Sequence, residues 1–151
     1  MKNNLVIEMM TSKDIDGVFE VEKNCFEHHW SKDAFSKELK NDVARYLVAK
    51  IDGKVVGYVG IWFVMDEGHI TNVAVHSDYR GKKIGDELVK ELVKLCKESN
   101  IASMTLEVRV SNIVAQKLYK KYGFKLAGIR KEYYSDNKED AMIMWNDVKA
   151  V

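Results

Sequence analysis

Hydrophobic residues along this chain switch between two spacings, and the switches divide it into elements. Leu5 to Met9 has the alternating character of a strand. Ile15, Val18, Phe19, Glu22 and Phe26 trace one face of a helix over Ile15 to Phe26, entered through Ser12 or Asp14. Ser31 is placed to cap a second, short helix containing Ala34, Phe35 and Leu39, and the two helices are expected to form a lid over the substrate side. Tyr46 to Ile51, an Asp52-Gly53 pair of the tight-hairpin type and Lys54 to Val64 predict an antiparallel pair. A turn at Asp66-Glu67-Gly68 leads into a further strand over residues 69 to 76. Ile84, Leu88, Leu92 and Leu95 lie on one face of a long helix ending near Ser99. The pattern then predicts a strand over 101 to 110, a helix over 112 to 122, and strands over 124 to 130 and 140 to 148. The order is β-α-α-β-β-β-α-β-α-β-β.

The helix between strands 69 to 76 and 101 to 110 makes those strands parallel neighbours through a right-handed crossover, while the short connections elsewhere make antiparallel pairs. The predicted class is therefore α/β (α+β), with a mixed sheet. The 151 residues contain no Pro, no Gly/Ser linker and no repeat, so a single domain over 1–151 is expected. A net charge of +1 argues against bulk attraction to nucleic acid or an anionic membrane. The run from Val55 to Met65 is too short to cross a bilayer and MKNNLVIEMM lacks a secretion-signal core, so a cytoplasmic protein is expected. Cys25 and Cys96 suit neither a disulfide framework nor a zinc site, and Cys96 falls on the apolar helix face. His28, His29, His69 and His76 lack the paired spacing of metal ligands, so no metal is expected.

The densest chemical signal is the junction from Ile70 onward: an apolar strand, the turn Arg80-Gly81-Lys82-Lys83-Ile84-Gly85, and a helix beginning near Asp86. The first turn of a helix has unpaired N–H groups and a favourable dipole for an anion such as a diphosphate. Gly81 and Gly85 permit close backbone approach, and Arg80, Lys82 and Lys83 add positive charge. Neither the nucleoside-triphosphate loop nor the dinucleotide fingerprint is present. Farther on, Thr105, Glu107 and Arg109 share the polar face of a strand, where Glu107 is the one carboxylate and, taken alone, reads as a solvated side chain paired with Arg109 or a neighbour.

Read together, these segments resemble the GNAT N-acetyltransferase superfamily, whose acyl-coenzyme A turn is Arg/Gln-x-x-Gly-x-Gly/Ala after a strand; Lys83 stands at its first glycine. A lysine fits there if its φ is negative. The run Leu106-Glu107-Val108-Arg109-Val110-Ser111-Asn112, then Ala115, Leu118-Tyr119 and Tyr122-Gly123-Phe124, resembles the RimI branch, the ribosomal-protein-alanine N-acetyltransferases. Ile129-Arg130-Lys131-Glu132-Tyr133-Tyr134 and Glu139-Asp140-Ala141-Met142-Ile143-Met144 form a second match. The resemblance implies an acyl-CoA N-acyltransferase fold, mostly antiparallel, whose central parallel strands splay to admit pantetheine. It implies acetyl-CoA as donor and the N-terminus of a small-subunit ribosomal protein as acceptor, with no DNA or membrane partner and a monomer or weak dimer.

By matching position, the resemblance makes Glu107 the general base and Tyr119 the general acid. Val73, Ala74 and Val75 would pair with pantetheine, Gly81, Lys82, Lys83, Ile84, Gly85 and Asp86 would form the diphosphate loop, and Asn112 would contact the coenzyme. Each also has a purely structural reading: Tyr119 as packing, Asn112 as a helix N-cap, Val73 and Val75 as core. Trp30-Ser31 matches a family Trp-Ser, with His29 where proline is common; Glu67, Tyr133, Tyr134 and Asp140 are candidates for holding the acceptor. A phenol of pKa about 10 protonating a thiolate of about 8.5 is uphill by roughly 2 kcal/mol, which favours hydrogen bonding over full donation by Tyr119. Other amine acceptors, a coenzyme sensor without turnover, and a nucleic-acid module using Lys82, Lys83, Lys117, Lys120, Lys121 and Lys125 are the competing readings.

Overall fold

The computed structural model describes residues 4–148. Its elements are β1 (Leu5–Met9), α1 (Ile15–Cys25), α2 (Lys32–Leu39), β2 (Ala44–Ile51), β3 (Lys54–Val64), β4 (Glu67–Val75), α3 (Ile84–Glu98), β5 (Ser103–Arg109), α4 (Ile113–Lys121), β6 (Lys125–Arg130) and β7 (Ala141–Asn146). Short 3-10 turns occupy Ser12–Asp14 and Ser77–Tyr79. The strands form one seven-stranded sheet in the order β1-β2-β3-β4-β5-β7-β6, and β4–β5 is its parallel pair. No helix among the described residues is long and apolar enough to cross a membrane.

Local chemistry explains most boundaries. Asp52 and Gly53 both take positive φ (52° and 82°) between the paired Ile51 and Lys54, the geometry that matches a two-residue loop to the strand twist. The Ser31 hydroxyl accepts the Ala34 N–H at 3.1 Å, starting α2, and the Asn112 side chain accepts the Ala115 N–H at 3.1 Å, starting α4. One turn is shorter than the sequence predicts. Val64 pairs with Glu67, so the loop is Met65-Asp66 and Glu67 and Gly68 already belong to β4; Met65 reaches this turn with φ 56°.

Helices cover both faces of the sheet. On one face Leu88, Val89, Leu92 and Cys96 of α3 are fully buried against Val59, Ile61 and Met104, with Tyr119 and Phe124 completing the cluster. Burial pushes the Cys96 thiol up to about 12. On the other face Val18 and Val21 of α1 and Phe35 of α2 pack on Tyr46, Val48, Tyr58 and Ala74. Rather than forming a lid over the substrate side, α1 and α2 are a second core layer, and the site is reached by Glu22 and Cys25 of α1 and by Phe26, His28 and Trp30 of the segment between the helices. Phe19 lies off the buried face, edge-on to His29 at 5.4 Å, while Glu22 is buried.

The centre of the sheet is incomplete. β4 and β5 pair at Glu67–Ser103, Gly68–Met104 and His69–Thr105, and no further. On the β3 side of β4, Gly60 pairs with Asn72 and Ile61 with Ile70, leaving Thr71 as an extra residue. A bulge of this kind bends its strand and raises the local twist. It falls immediately after the last β4–β5 pair, so Ile70–Val75 turns away and a slot opens toward the carboxyl ends of both strands.

Candidate functional site

The slot exposes backbone that a central strand normally hides. His76 N–H bonds to Val56 O at 2.9 Å, which assigns the peptide groups of Ala74 and His76 to β3 and, by strand alternation, those of Val73 and Val75 to the slot. The Val75 carbonyl accepts the Cys25 thiol at 3.2 Å and the Arg80 Nε–H at 3.1 Å. Burial raises the Cys25 pKa, as suits a thiol that donates.

At the end of β4 the chain turns through Arg80–Lys83 into α3. Lys83 is the N-cap and takes φ 62°, so the condition that its φ be negative is not met; it occupies the left-handed region that glycine tolerates best. Its side chain caps nothing. The first N–H of α3 bonded within the helix end is that of Glu87, to Lys83 O at 3.2 Å, so Ile84, Gly85 and Asp86 present theirs outward. The Asp86 carboxylate is drawn aside by Lys121 and by the Tyr122 hydroxyl at 3.2 Å, and its pKa is lowered because these contacts outweigh burial. Replacing Lys83 with Gly should raise folding stability by about 1 kcal/mol, since it relieves the left-handed strain and loses no cap. Urea denaturation with an unchanged or lower midpoint would contradict this.

Two cavities flank the slot. The larger, of about 800 Å³, is lined by Val73, Ala74 and Val75, by Arg80, Gly81, Lys83, Ile84, Gly85 and Asp86, and by Asn112 and Tyr119. Of the residues expected around the coenzyme, Lys82 does not reach it; its ammonium lies over the Tyr79 ring at 5.8 Å. Lys117 and Lys121 of α4 join the wall. The smaller cavity, of about 390 Å³, is lined by Trp30, Thr71, Asn72, Glu107, Arg109 and Tyr134, among others. Phe26, Val73, Asn112 and Tyr119 belong to both, so the cavities meet at those four residues.

Glu107 lies on β5 with its carboxylate 3.4 Å from Arg130 Nε. Its neighbour Arg109 is engaged elsewhere: it contacts Asp136 at 2.8 Å and Glu139 at 3.1 Å, and its guanidinium covers the Tyr134 ring at 3.9 Å. Glu139 also accepts the Ser111 N–H at 2.7 Å; Ser111 and Arg109 together hold its pKa down to about 2. These contacts fasten the β6–β7 connection, and Tyr134 with it, over the smaller cavity. Gln116 of α4 donates to the Arg109 and Val110 carbonyls at 3.0 and 2.9 Å, joining α4 to the end of β5 and fixing Tyr119 one turn later. Tyr119 is 7% exposed, and burial, with Tyr134 adding a little, raises its pKa.

Other acceptor candidates are placed differently. Trp30 and Tyr134 line the smaller cavity, whereas Tyr133 stands outside it, edge-on to Tyr134 at 5.0 Å. Glu67 sits at the closed end of β4, bonded to His69 at 3.1 Å, and Asp140 accepts the Glu132 N–H at 2.9 Å; neither lines a cavity. The sequence reading missed Phe26 as a shared wall and Thr71 as the bulge. The adjacent polar pair Thr71-Asn72, which breaks the alternation of Ile70 to Val75, is the signal that marks the latter. Among the described residues no group of three His, Cys, Asp or Glu side chains could hold a metal ion.

A profile of the Acetyltransferase (GNAT) family matches residues 15–124. A protein of Bacillus subtilis, described as a candidate ribosomal protein bS18-alanine N-acetyltransferase, is 50% identical over 146 residues, covering 96% of this chain and 97% of its own. The ribosomal protein bS18-alanine N-acetyltransferase of Escherichia coli K12 is 32% identical over 142 residues, covering 91% and 94%. A crystal structure of the ribosomal-protein-S18-alanine N-acetyltransferase from Escherichia coli superimposes with a TM-score of 0.88 at 29% identity, covering 95% and 94% of the two chains.

Proposed function

The chain belongs to the GNAT family of acetyltransferases, and from that premise we propose that it acetylates the N-terminal alanine of ribosomal protein bS18. It is an N-acetyltransferase that uses acetyl-CoA as donor. The observation that carries the substrate reading is the match, over nearly the full length of both chains, to relatives named for that acceptor. The site supports it with a donor cavity and an acceptor cavity that touch at one point.

The larger cavity suits the coenzyme chemically. Outward N–H groups at the start of α3, with Arg80, Lys83, Lys117 and Lys121 around them, favour a diphosphate, and the β4 edge that β5 leaves without a partner strand, with the Val73 peptide and the Val75 N–H on it, favours an amide-bearing arm. When bound, acetyl-CoA supplies a thioester carbonyl open to attack. In this reading Val73 directs its N–H to the carbonyl oxygen, where negative charge develops. Glu107 accepts the proton of the attacking amine. An α-amine has a pKa of about 7.7 to 8.0 against about 10.4 for lysine, so exposing its lone pair at neutral pH costs roughly 3 kcal/mol less. One carboxylate is then sufficient as base.

Tyr119 acts at the meeting point. Its raised pKa makes it a poor proton source, so its hydroxyl steadies the departing thiolate by hydrogen bonding. Tyr119→Phe should lower kcat by about 10- to 100-fold, the worth of one hydrogen bond to a charged group, with acetyl-CoA affinity nearly unchanged. Stopped-flow kinetics showing full turnover would remove Tyr119 from the reaction.

The substrate reading is tested by incubating the protein with acetyl-CoA and an Ala-starting bS18 peptide, beside matched Ser- and Met-starting peptides, a lysine-containing peptide with a blocked N-terminus, and spermidine. Mass spectrometry should place the acetyl group on the alanine α-amine. Modification confined to side chains or to the polyamine would reject the proposal.

A further inference from the structure

Glu22 is the buried charge that the reaction above leaves unused. It projects from α1 into the core layer built on Tyr58, is 2% exposed, and lines the acceptor cavity together with Glu107 and Tyr119. One carboxylate oxygen accepts the Tyr58 hydroxyl and the other the Trp30 N–H at 2.9 Å. Both donors are neutral. No Lys, Arg or His among the described residues forms an ion pair with Glu22.

The other charged or titratable groups around the cavity do not neutralise it. Arg109 of β5 is held by Asp136 and Glu139, Glu107 carries the same sign, His28 lies exposed in the α1–α2 segment, and Tyr119, Tyr134 and Tyr58 are phenols whose pKa values burial raises. A carboxylate taken out of water without a cation is unfavourable, and an amide or an apolar side chain would fill the same space at less cost. The arrangement is completed by a cation that arrives with the substrate.

We propose that Glu22 is the counter-charge for the acceptor's α-ammonium group, a specificity-determining contact; this rests on the α-amine reading of the acceptor. Glu22 holds the ammonium form on docking; Glu107 takes one proton to free the lone pair, and the second proton, shed by the nitrogen once the C–N bond forms and the C–S bond breaks, goes to the departing thiolate, leaving a neutral amide and the free thiol. Acetylation converts the ammonium to a neutral amide, so the same contact that recruits the acceptor is absent from the product and favours its release.

The test compares two ligands that differ only in this charge. For Glu22→Gln, KM for an Ala-starting peptide should rise about tenfold or more, the worth of one charge-assisted hydrogen bond, while the inhibition constant of the same peptide already Nα-acetylated should stay within about twofold. Glu22→Asp, which keeps the charge, should recover much of the affinity for the amine. Equal weakening of both ligands, or no weakening of the amine, overturns the proposal. If Glu22→Gln fails to fold, equilibrium binding to the Glu107→Gln protein decides: the amine peptide should bind at least about fivefold more tightly than its des-amino analogue, and equal binding overturns the proposal. A wild-type protein that acetylates no α-amine peptide would reject the acceptor reading itself. Wild-type turnover with an unaltered Glu22→Gln KM would reject the role of Glu22 alone.

Discussion

Glu107→Gln should lower kcat on an α-amine peptide by about 100- to 10,000-fold at neutral pH, the usual range for loss of a positioned general base. The amide keeps the size of the side chain and can still receive a hydrogen bond from Arg130, so packing is preserved and proton acceptance is lost. Acetyl-CoA affinity should hold within about twofold, because Glu107 lines only the acceptor cavity. The sign of the pH response follows from the amine. Below its pKa of about 8 most acceptor is protonated and needs the base; above it, the lone pair is already free. The deficit should therefore shrink as pH rises past 8. Steady-state kinetics from pH 6.5 to 9.5 measure this, and a variant as active as the wild type at pH 7 would exclude Glu107 as base.

Deleting Thr71 should abolish coenzyme binding while leaving a folded protein. With the extra residue gone, Asn72 follows Ile70 in continuous register with β3, and the bend that separates β4 from β5 disappears. The edge of β4 can then continue the ladder begun at His69–Thr105, and the Val73 and Val75 peptides become partners of β5. A loss of acetyl-CoA affinity of more than about 100-fold is expected, equivalent to losing two or three well-made hydrogen bonds. Isothermal titration beside far-UV circular dichroism separates the closed slot from simple unfolding. Retained affinity would show that the slot has another cause.

Features written in short-range chemistry were legible before the structure. Ser31 and Asn112 announce their helices because a cap acts over three residues, and Asp52-Gly53 announces its hairpin because both residues accept positive φ. Glu107 stood out because strand alternation places it on a polar face and a long motif selects it, and Tyr119 through the motif alone; the structure brings them to one cavity. Features that need two distant segments were not legible. The bulge at Thr71 exists only in its pairing with β3, and the burial of Glu22 depends on Tyr58, far along the chain. Glu67 was misplaced by the turn length, which depends on Met65 adopting a conformation unusual for its type. Lys83 follows the same rule: the helix start, through its neighbours, holds it where glycine would be easier.

The early end of β4–β5 pairing also sets a pattern of isotope uptake. Amides in the middle of a seven-stranded sheet ordinarily exchange with solvent deuterium only when the whole molecule opens. Here Val73 and Val75, central in strand order, should exchange as freely as a sheet margin, while Ala74 between them stays protected by β3. Filling the slot should then silence those two amides selectively, giving occupancy of the cleft a residue-resolved deuteration signature without any turnover.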